Sequence, residues 1–137
     1  MSWVVDASVA VKWFVEEPGS EAARAVLARG EPLLAPDLIV PEVANTAWKK
    51  AARGEITRAH GERIVQALPL MLDRIVPAAE LVGRAYGLAV RHGHPVYDAL
   101  YLALAEQADA RLVTDDARLV ALARRARMAR RVRPLVV

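Results

Sequence analysis

The segment Val96–Gln107 constrains the fold more than any other, because its central residues are apolar on every side. Residues 99–105 read Ala-Leu-Tyr-Leu-Ala-Leu-Ala, so a helix over this stretch has no polar face. A helix that is apolar all round is buried between other layers of a structure. The segment therefore predicts a central helix that neighbouring elements cover.

Short apolar runs alternate with helical segments over the rest of the chain. The predicted strands are Trp3–Val5, 32–36, Arg74–Val76, Arg111–Thr114 and a last strand at 135–137. The other predicted helices cover 7–15, 41–54, 57–70 and 78–91. A further helix begins within 19–21, and the last one is capped by Asp115 or Asp116. This alternation is typical of a parallel sheet with both faces covered. We predict a single α/β domain over residues 1–137, a three-layer α/β/α sandwich around a short-stranded, mainly parallel central sheet.

The composition excludes several classes of protein. Cysteine is absent, which removes disulfide frameworks, thiol nucleophiles and zinc–thiolate sites. The longest stretch without a charged residue, 64–72, has nine residues and contains a proline, so it is too short to span a membrane. The first six residues lack the basic region of a signal peptide and reach an acid at Asp6. We therefore expect a cytoplasmic protein.

Four acidic residues fall where a parallel sheet would bring them together. Asp6 ends the first strand, and Asp116 follows the strand Arg111–Thr114. Glu42 and Asp98 lie in the first turns of their predicted helices, after a proline in each case. The carboxyl ends of parallel strands and the helix starts that follow share one edge of a sheet, where ligands usually bind. We therefore expect the four carboxylates to converge at that edge.

Each acid also has a simpler explanation. An acid in the first turn of a helix interacts favourably with the helix dipole and stabilises the helix by about 0.3–1 kcal/mol. This effect alone would account for Glu42 and Asp98. Asp116, or its neighbour Asp115, could act only as a helix cap. Asp6 is harder to explain in this way unless it opens the helix that follows. Taken together the four are more informative, because crowded carboxylates repel unless a cation lies among them.

The residue types around the acids indicate which cation this would be. A site of oxygen ligands without Cys or His suits Mg²⁺ or Mn²⁺ better than zinc. Such an ion can activate water and neutralise the charge of a phosphodiester under attack. The hydroxyls of Ser8 and Thr114 could serve a ligand or a bound water, or could instead form local backbone hydrogen bonds. Asn45 follows Glu42 by three residues on the same helix face and could orient it or contact a substrate.

Four segments resemble a known family in order and spacing. They are Val-Val-Asp-Ala-Ser-Val at 4–9, Pro-Glu-Val-Ala-Asn at 41–45, Tyr-Asp-Ala-Leu-Tyr-Leu-Ala at 97–103 and Leu-Val-Thr-Asp-Asp at 112–116. Together they resemble the PIN domain, and most closely the VapC-type toxins of prokaryotic toxin–antitoxin pairs, over essentially the whole chain. The resemblance implies an Mg²⁺- or Mn²⁺-dependent endoribonuclease that works as a homodimer on RNA. It also implies a cognate antitoxin protein that blocks the site.

The family's acidic tetrad falls on Asp6, Glu42, Asp98 and Asp116, which the resemblance makes both catalytic and metal-binding, with Ser8, Asn45 and Thr114 as supporting groups. The family's last motif is Thr-x-Asp, which selects Asp116. The intervening position is also an acid here, so Asp115 could share or replace that role. Two alternatives remain: a catalytically weak or silent PIN-like module that binds RNA or a protein, and a receiver-like phosphoacceptor domain, which also gathers acids at a sheet edge.

Basic residues are concentrated at the end of the chain. The net charge is +3, from 19 Lys and Arg against 16 Asp and Glu, and the segment 117–137 contains arginines but no acid. Five of these arginines are candidates for binding RNA phosphate: Arg124, Arg125, Arg127, Arg130 and Arg131. They could instead complement the dipole of the last helix. For His92 and His94, on either side of Gly93, we expect exposed imidazoles in a loop rather than a metal site.

Overall fold

The computed structural model describes residues 1–135, in which five strands and seven α-helices alternate. The strands are β1 (Trp3–Val5), β2 (Leu33–Pro36), β3 (Arg74–Val76), β4 (Arg111–Thr114) and β5 (Val132–Pro134). The helices are α1 (Ala7–Ala10), α2 (Ser20–Ala28), α3 (Ile39–Ala52), α4 (Arg58–Met71), α5 (Ala78–His92), α6 (Val96–Gln107) and α7 (Ala117–Arg125). Short 3-10 turns follow α1 at Val11–Trp13 and precede β5 at Ala129–Arg131.

The sheet is parallel throughout, with the strand order β3-β2-β1-β4-β5. The chain moves across it in one direction from β1 to β3 and then in the other direction to β4 and β5. Because crossovers between parallel strands are right-handed, α1–α4 lie on one face and α5–α7 on the other. The contacts agree, since α3 packs along α4 and α6 packs along α5 and touches α7. The predicted three-layer α/β/α fold is confirmed, with a sheet that is wholly rather than mainly parallel.

Helix α6 occupies the position that its sequence predicts. All seven residues from Ala99 to Ala105 are buried, and the helix contacts β1, β2 and β4 as well as α5 and α7. Leu102 and Leu104 are completely inaccessible to solvent. Burying a side chain of this size contributes about 1.5–3 kcal/mol each. The helix therefore ties the centre of the sheet to one helical layer, and it fixes the position of the acid in its first turn.

Three elements differ from the sequence prediction. Helix α3 begins at Ile39, two residues before Pro41. Proline is tolerated at this third helical position because none of the N–H groups in the first turn has a partner within the helix. The helix expected over 7–15 is four residues of α-helix followed by a 3-10 turn. The last strand is Val132–Pro134, not 135–137: Leu135 comes after it, and residues 136 and 137 lie outside the described part of the chain.

The last strand was misplaced because an edge strand need not be apolar. Arg133 and Pro134 are exposed in β5, which pairs with β4 on one side only. Proline is tolerated there because an edge strand does not need every N–H for pairing.

None of the helices between residues 1 and 135 combines the length and the hydropathy that crossing a bilayer requires.

Candidate active site

Asp6 lies at the point where the sheet reverses its direction of growth. It follows β1 directly, and β1 and β4 are neighbours from which the chain proceeds to opposite sides. Ligands of open α/β sheets bind in the crevice at such a switch point, beyond the carboxyl ends of the strands. Oδ1 of Asp6 accepts hydrogen bonds from Ser8 Oγ (2.6 Å) and the Val9 amide (3.2 Å), and Oδ2 accepts one from the hydroxyl of Thr114.

Burial dominates the ionisation of Asp6. The residue is only 5% exposed, and this burial raises its pKa from the usual 3.8 to about 6, although the hydrogen bonds from Ser8 and Thr114 act in the opposite direction. The charge of Asp116 contributes in the same direction as burial, since a second carboxylate disfavours the ionised form of Asp6. Asp6 is also the N-cap of α1, so the alternative that it opens a helix is correct as well.

Glu42 is held by a partner that the sequence pattern did not reveal. The hydroxyl of Tyr101 donates a hydrogen bond to Oε1 of Glu42. Partial burial raises the pKa of Glu42 above its usual range despite this bond, and the charge of Asp98 adds to the increase. Tyr101 is almost wholly buried, and burial together with the charge of Glu42 raises its pKa far above the usual value, so the phenol keeps its proton. In the sequence, Tyr101 is one residue of an apolar helix and gives no sign of this contact, although a buried tyrosine usually needs a polar partner.

Asp98 is held by His94, which contradicts the expectation for the histidines. Oδ2 of Asp98 lies 2.9 Å from Nε2 of His94, four residues earlier in the sequence, and the His94 side chain is 7% exposed. His92 is the last residue of α5 rather than part of a loop. His94 does lie in the connection between α5 and α6, as expected, but its imidazole is not exposed, and His92 belongs to a helix; in these two respects the expectation was wrong. The spacing of four residues between His94 and Asp98 was the signal that could have indicated this contact.

The neighbouring acids Asp115 and Asp116 point to different partners. Oδ1 of Asp116 accepts a hydrogen bond from the Arg118 amide (2.9 Å), which makes Asp116 the N-cap of α7. Asp115 donates its amide to Ser8 Oγ (3.1 Å), and its carboxylate lies 3.5 Å from Nζ of Lys12. Of the two acids, Asp116 is the one whose charge raises the pKa of Asp6, which favours it over Asp115 as the fourth carboxylate of the predicted set.

The hydroxyls of Ser8 and Thr114 each donate one hydrogen bond and accept another within the protein. Each donates to the carboxylate of Asp6, and each accepts a backbone N–H, Ser8 from Asp115 and Thr114 from Asp116 (3.0 Å). Local backbone bonding, one of the two alternatives for these residues, is therefore present. The two hydroxyls join the end of β1 to the end of β4 across the switch point.

A buried lysine behind the site was missed in the sequence. Nζ of Lys12 lies 3.1 Å from Oε1 of Glu17 and 2.8 Å from the carbonyl oxygen of Pro18, and Lys50 contacts the other oxygen of Glu17 at 2.9 Å. Burial would raise the pKa of Glu17, but the hydrogen bonds from Lys50 and Lys12 hold it below its usual range. This network fixes the turn after α1 and keeps a positive charge beside Asp115. Lysine is so common on surfaces that its type alone gave no signal.

The carboxylates offer oxygen atoms for a cation but do not form a closed cage. Glu42, Asp98 and Asp116 each have one oxygen held by a protein donor, and within residues 1–135 their second oxygens accept no hydrogen bond. No three Asp, Glu or His side chains in that part of the chain converge closely enough to hold an ion between them. The donor set is of the hard-oxygen type that Mg²⁺ and Mn²⁺ take. The residues present therefore fit such an ion in chemistry, as an open set at one edge.

The remaining predicted site residues are divided between the two edges of the sheet. Asn45 is exposed on α3. Arg124 lines a hollow with Thr114, Asp115 and Asp116, at the same edge as the acids. Arg125 lies beside His94.

The other three predicted arginines lie at the opposite edge. Arg127, Arg130 and Arg131 line a hollow with Arg111, where β4 begins, and Arg131 pairs with Asp109 (2.9 Å). They are therefore at the amino ends of the strands, away from the carboxylates. Their spacing in the sequence could not show this, because a positive φ at Arg127 turns the chain after α7.

Comparison with known proteins assigns the chain to one family. A family model described as the PIN domain matches residues 3–125. Ribonuclease VapC3 of Pyrobaculum aerophilum is 36% identical over 121 residues, which cover 87% of this chain and 92% of the relative. The crystal structure of PAE2754 from the same organism has a TM-score of 0.71 at 24% identity, covering 98% of this chain and 90% of that one. A toxin–antitoxin complex from Klebsiella pneumoniae has a TM-score of 0.65 at 19% identity, covering 86% and 89%.

The chain belongs to the PIN-domain family, among the VapC-type ribonucleases. The resemblance drawn from the four sequence segments is thereby confirmed. The receiver-like alternative is excluded, since the PIN match spans nearly all of the chain.

Proposed function

We propose that this protein is a metal-dependent endoribonuclease, the toxin of a toxin–antitoxin pair, that hydrolyses RNA phosphodiester bonds with Mg²⁺ or Mn²⁺ held by Asp6, Glu42, Asp98 and Asp116. The observation that carries the proposal is that the four carboxylates lie in two pairs near the switch point of the sheet: the charge of Asp116 raises the pKa of Asp6, and the charge of Asp98 raises the pKa of Glu42. Family membership supports the choice of RNA as substrate. When bound, the ion would neutralise charge on the phosphate and lower the pKa of a water molecule.

The chain's own groups have separate parts in this reaction. Asp6 is buried and held by Ser8 and Thr114, so it serves as a fixed anchor. Glu42 would hold the ion through Oε2, which accepts no hydrogen bond among residues 1–135, while Tyr101 fixes the side chain through Oε1. Arg124, at the same edge, is suited to contact an RNA phosphate.

The test compares the same substitution at both edges of the sheet. Asp6→Asn and Asp98→Asn should each abolish Mn²⁺-dependent cleavage of total cellular RNA, scored by mapping new 5′ ends. Asp109→Asn, an exposed acid at the opposite edge, should cleave like the wild type. Cleavage that persists in both site variants would contradict the assignment of the carboxylates.

A second candidate, a weak or silent PIN-like module that binds RNA or protein, is favoured by one observation. No three acidic or histidine side chains converge within residues 1–135. In that case the wild type would bind RNA in a filter assay but leave it intact at millimolar Mn²⁺. The same experiment therefore distinguishes the two candidates.

We also propose two protein partners, an antitoxin and a second copy of the chain. An apolar groove between α3 and α4 lies beside Trp48, which is 67% exposed, and such surfaces are usually covered by a partner. Val82, Tyr86 and Val90 form an exposed apolar row along α5. Co-expression with a small protein encoded in the neighbouring reading frame should yield a complex without RNA cleavage, and light scattering should give the mass of a dimer. Full RNA cleavage by the complex would contradict the proposed antitoxin. The mass of a monomer in light scattering would contradict the proposed dimer.

A further inference from the structure

His94 is held on both sides of its ring. It follows Gly93, which ends α5 in the left-handed conformation (φ 61°), and it precedes the first residues of α6. On one side Nε2 lies 2.9 Å from Oδ2 of Asp98, and on the other Nδ1 lies 3.4 Å from a terminal nitrogen of Arg125. The side chain is nearly buried although it belongs to a connection between two helices. A contiguous chain of three side chains thus joins the end of α7 to the start of α6.

The chemistry of the two neighbours determines where His94 carries its proton. A guanidinium can only donate hydrogen bonds, so Nδ1 must accept. An ionised carboxylate can only accept, so Nε2 must carry the hydrogen and donate it to Asp98. Both requirements select the same neutral tautomer of the imidazole. The contacts with Arg125 and Asp98 are therefore both satisfied by one orientation of the His94 ring, with a single hydrogen on Nε2.

We propose that His94 is a positioning residue that holds Asp98 in the orientation required for metal binding, and that Arg125 fixes the tautomer of His94. This inference rests on the proposed function, in which Asp98 is a metal ligand. The bond to His94 occupies Oδ2 and leaves Oδ1 as the oxygen of Asp98 that accepts no hydrogen bond from residues 1–135. Hydrogen bonds that orient ligating side chains in this way matter nearly as much as the ligands themselves. Arg125, a candidate for RNA binding by sequence, is exposed at the end of α7 and also contacts His94.

The first test measures metal affinity without RNA, by calorimetric titration of the full chain with Mn²⁺. His94→Leu removes the donor and should weaken binding about 10–100-fold. His94→Gln can place an amide N–H near the position of Nε2 and should recover most of that loss. Thermal unfolding in EDTA should be similar for the two variants, which separates orientation of Asp98 from a general loss of stability.

The outcomes distinguish this inference from the proposed function. Wild-type affinity in His94→Leu, together with loss of binding in Asp98→Asn, would overturn the role of His94 and leave the metal site intact. Equal weakening in His94→Leu and His94→Gln would also overturn it, because the N–H donor would then be irrelevant. A wild type that binds no Mn²⁺ would overturn both.

The second test concerns Arg125, for which the direction of the effect is diagnostic. Charge alone predicts that losing a cation near a metal site strengthens Mn²⁺ binding. The link through His94 predicts the opposite, so Arg125→Gln should weaken binding in the wild type and have no further effect in His94→Leu. Arg63→Gln, at an exposed position on α4, controls for the change in net charge. Unchanged or tighter Mn²⁺ binding in Arg125→Gln would refute the role of Arg125.

Discussion

Replacing Asp6 by Asn should stabilise the metal-free protein at neutral pH while removing its response to divalent ions. The carboxylate of Asp6 is buried, and burial raises its pKa from 3.8 to about 6. The charged form is therefore less favourable in the folded chain than in the unfolded chain. Asparagine has nearly the same shape but cannot ionise, so it removes this unfavourable term.

The magnitude follows from the two pKa values. Since the folded chain holds the proton more tightly, the free energy of unfolding falls as pH rises from about 4 to about 6, and the total decrease is about 3 kcal/mol. The amide of Asn would face the hydroxyl of Thr114, which now donates to Asp6 and would have to accept instead. This change removes about 1 kcal/mol. Asp6→Asn should therefore be about 2 kcal/mol more stable than the wild type at pH 7–8 and slightly less stable below pH 4.

The measurement is urea denaturation followed by tryptophan fluorescence between pH 4 and pH 8 in EDTA. Asp109→Asn replaces an acid whose side chain is 92% exposed and serves as the matched control. Adding Mn²⁺ should stabilise the wild type, by about 2.7 kcal/mol at one hundred times its dissociation constant, but not Asp6→Asn.

A particular result would refute the reasoning about Asp6. If the stability difference between wild type and Asp6→Asn stays constant from pH 4 to pH 8, then Asp6 does not carry the pH dependence. If the wild type instead gains stability relative to the variant as pH rises, the carboxylate is stabilised rather than penalised by its surroundings. Either finding would mean that the hydrogen bonds from Ser8 and Thr114 outweigh burial.

Three further substitutions test the neighbouring contacts and the core. Tyr101→Phe removes the hydrogen-bond donor to Glu42, so it should destabilise the protein by about 1 kcal/mol. The same loss should raise the pKa of Glu42 and move the rising limb of the pH–rate profile for RNA cleavage to higher pH. An unchanged profile would contradict this prediction. Lys12→Met leaves Glu17 with one partner fewer and should lower the free energy of unfolding by about 2–4 kcal/mol. A loss below about 0.5 kcal/mol would show that the contact between Lys12 and Glu17 is dispensable for stability. Leu104→Ala in the buried helix should destabilise by about 3–5 kcal/mol in urea denaturation, and a loss near 1 kcal/mol would indicate that the site collapses around the gap.

The fold was largely predictable because it depends on patterns that are local in the sequence. The apolar run from Ala99 to Ala105 is enough to require a buried helix, and short apolar strands between helices are enough to require a parallel sheet. Asp6 and Asp116 could be placed at one edge because they follow neighbouring strands directly. The last strand was misplaced because β5 lies at the edge of the sheet, where its residues need not be apolar.

The contacts within the site were less predictable, because they join distant parts of the chain. Tyr101 and Glu42 are 59 residues apart, and nothing in an apolar helix identifies which buried hydroxyl turns towards an acid. Lys12 lies among apolar residues, where a single lysine is easily taken as a surface group. His94 and Asp98 are close in sequence, but the burial of His94 depends on α7, which packs beside α6.

The hydrogen bond between Asp6 and Thr114 has a consequence for the timing of folding. It closes a loop of 108 residues, which carries an entropic penalty of about 4 kcal/mol before the contact contributes any stability. Pairing between such distant segments forms late, because many intervening residues must first become ordered. A chain still emerging from the ribosome lacks β4, and with it the second wall of the crevice that surrounds Asp6. Under the proposed function, a chain synthesised only as far as α6 lacks both β4 and Asp116, and therefore part of the set of carboxylates that would hold the ion.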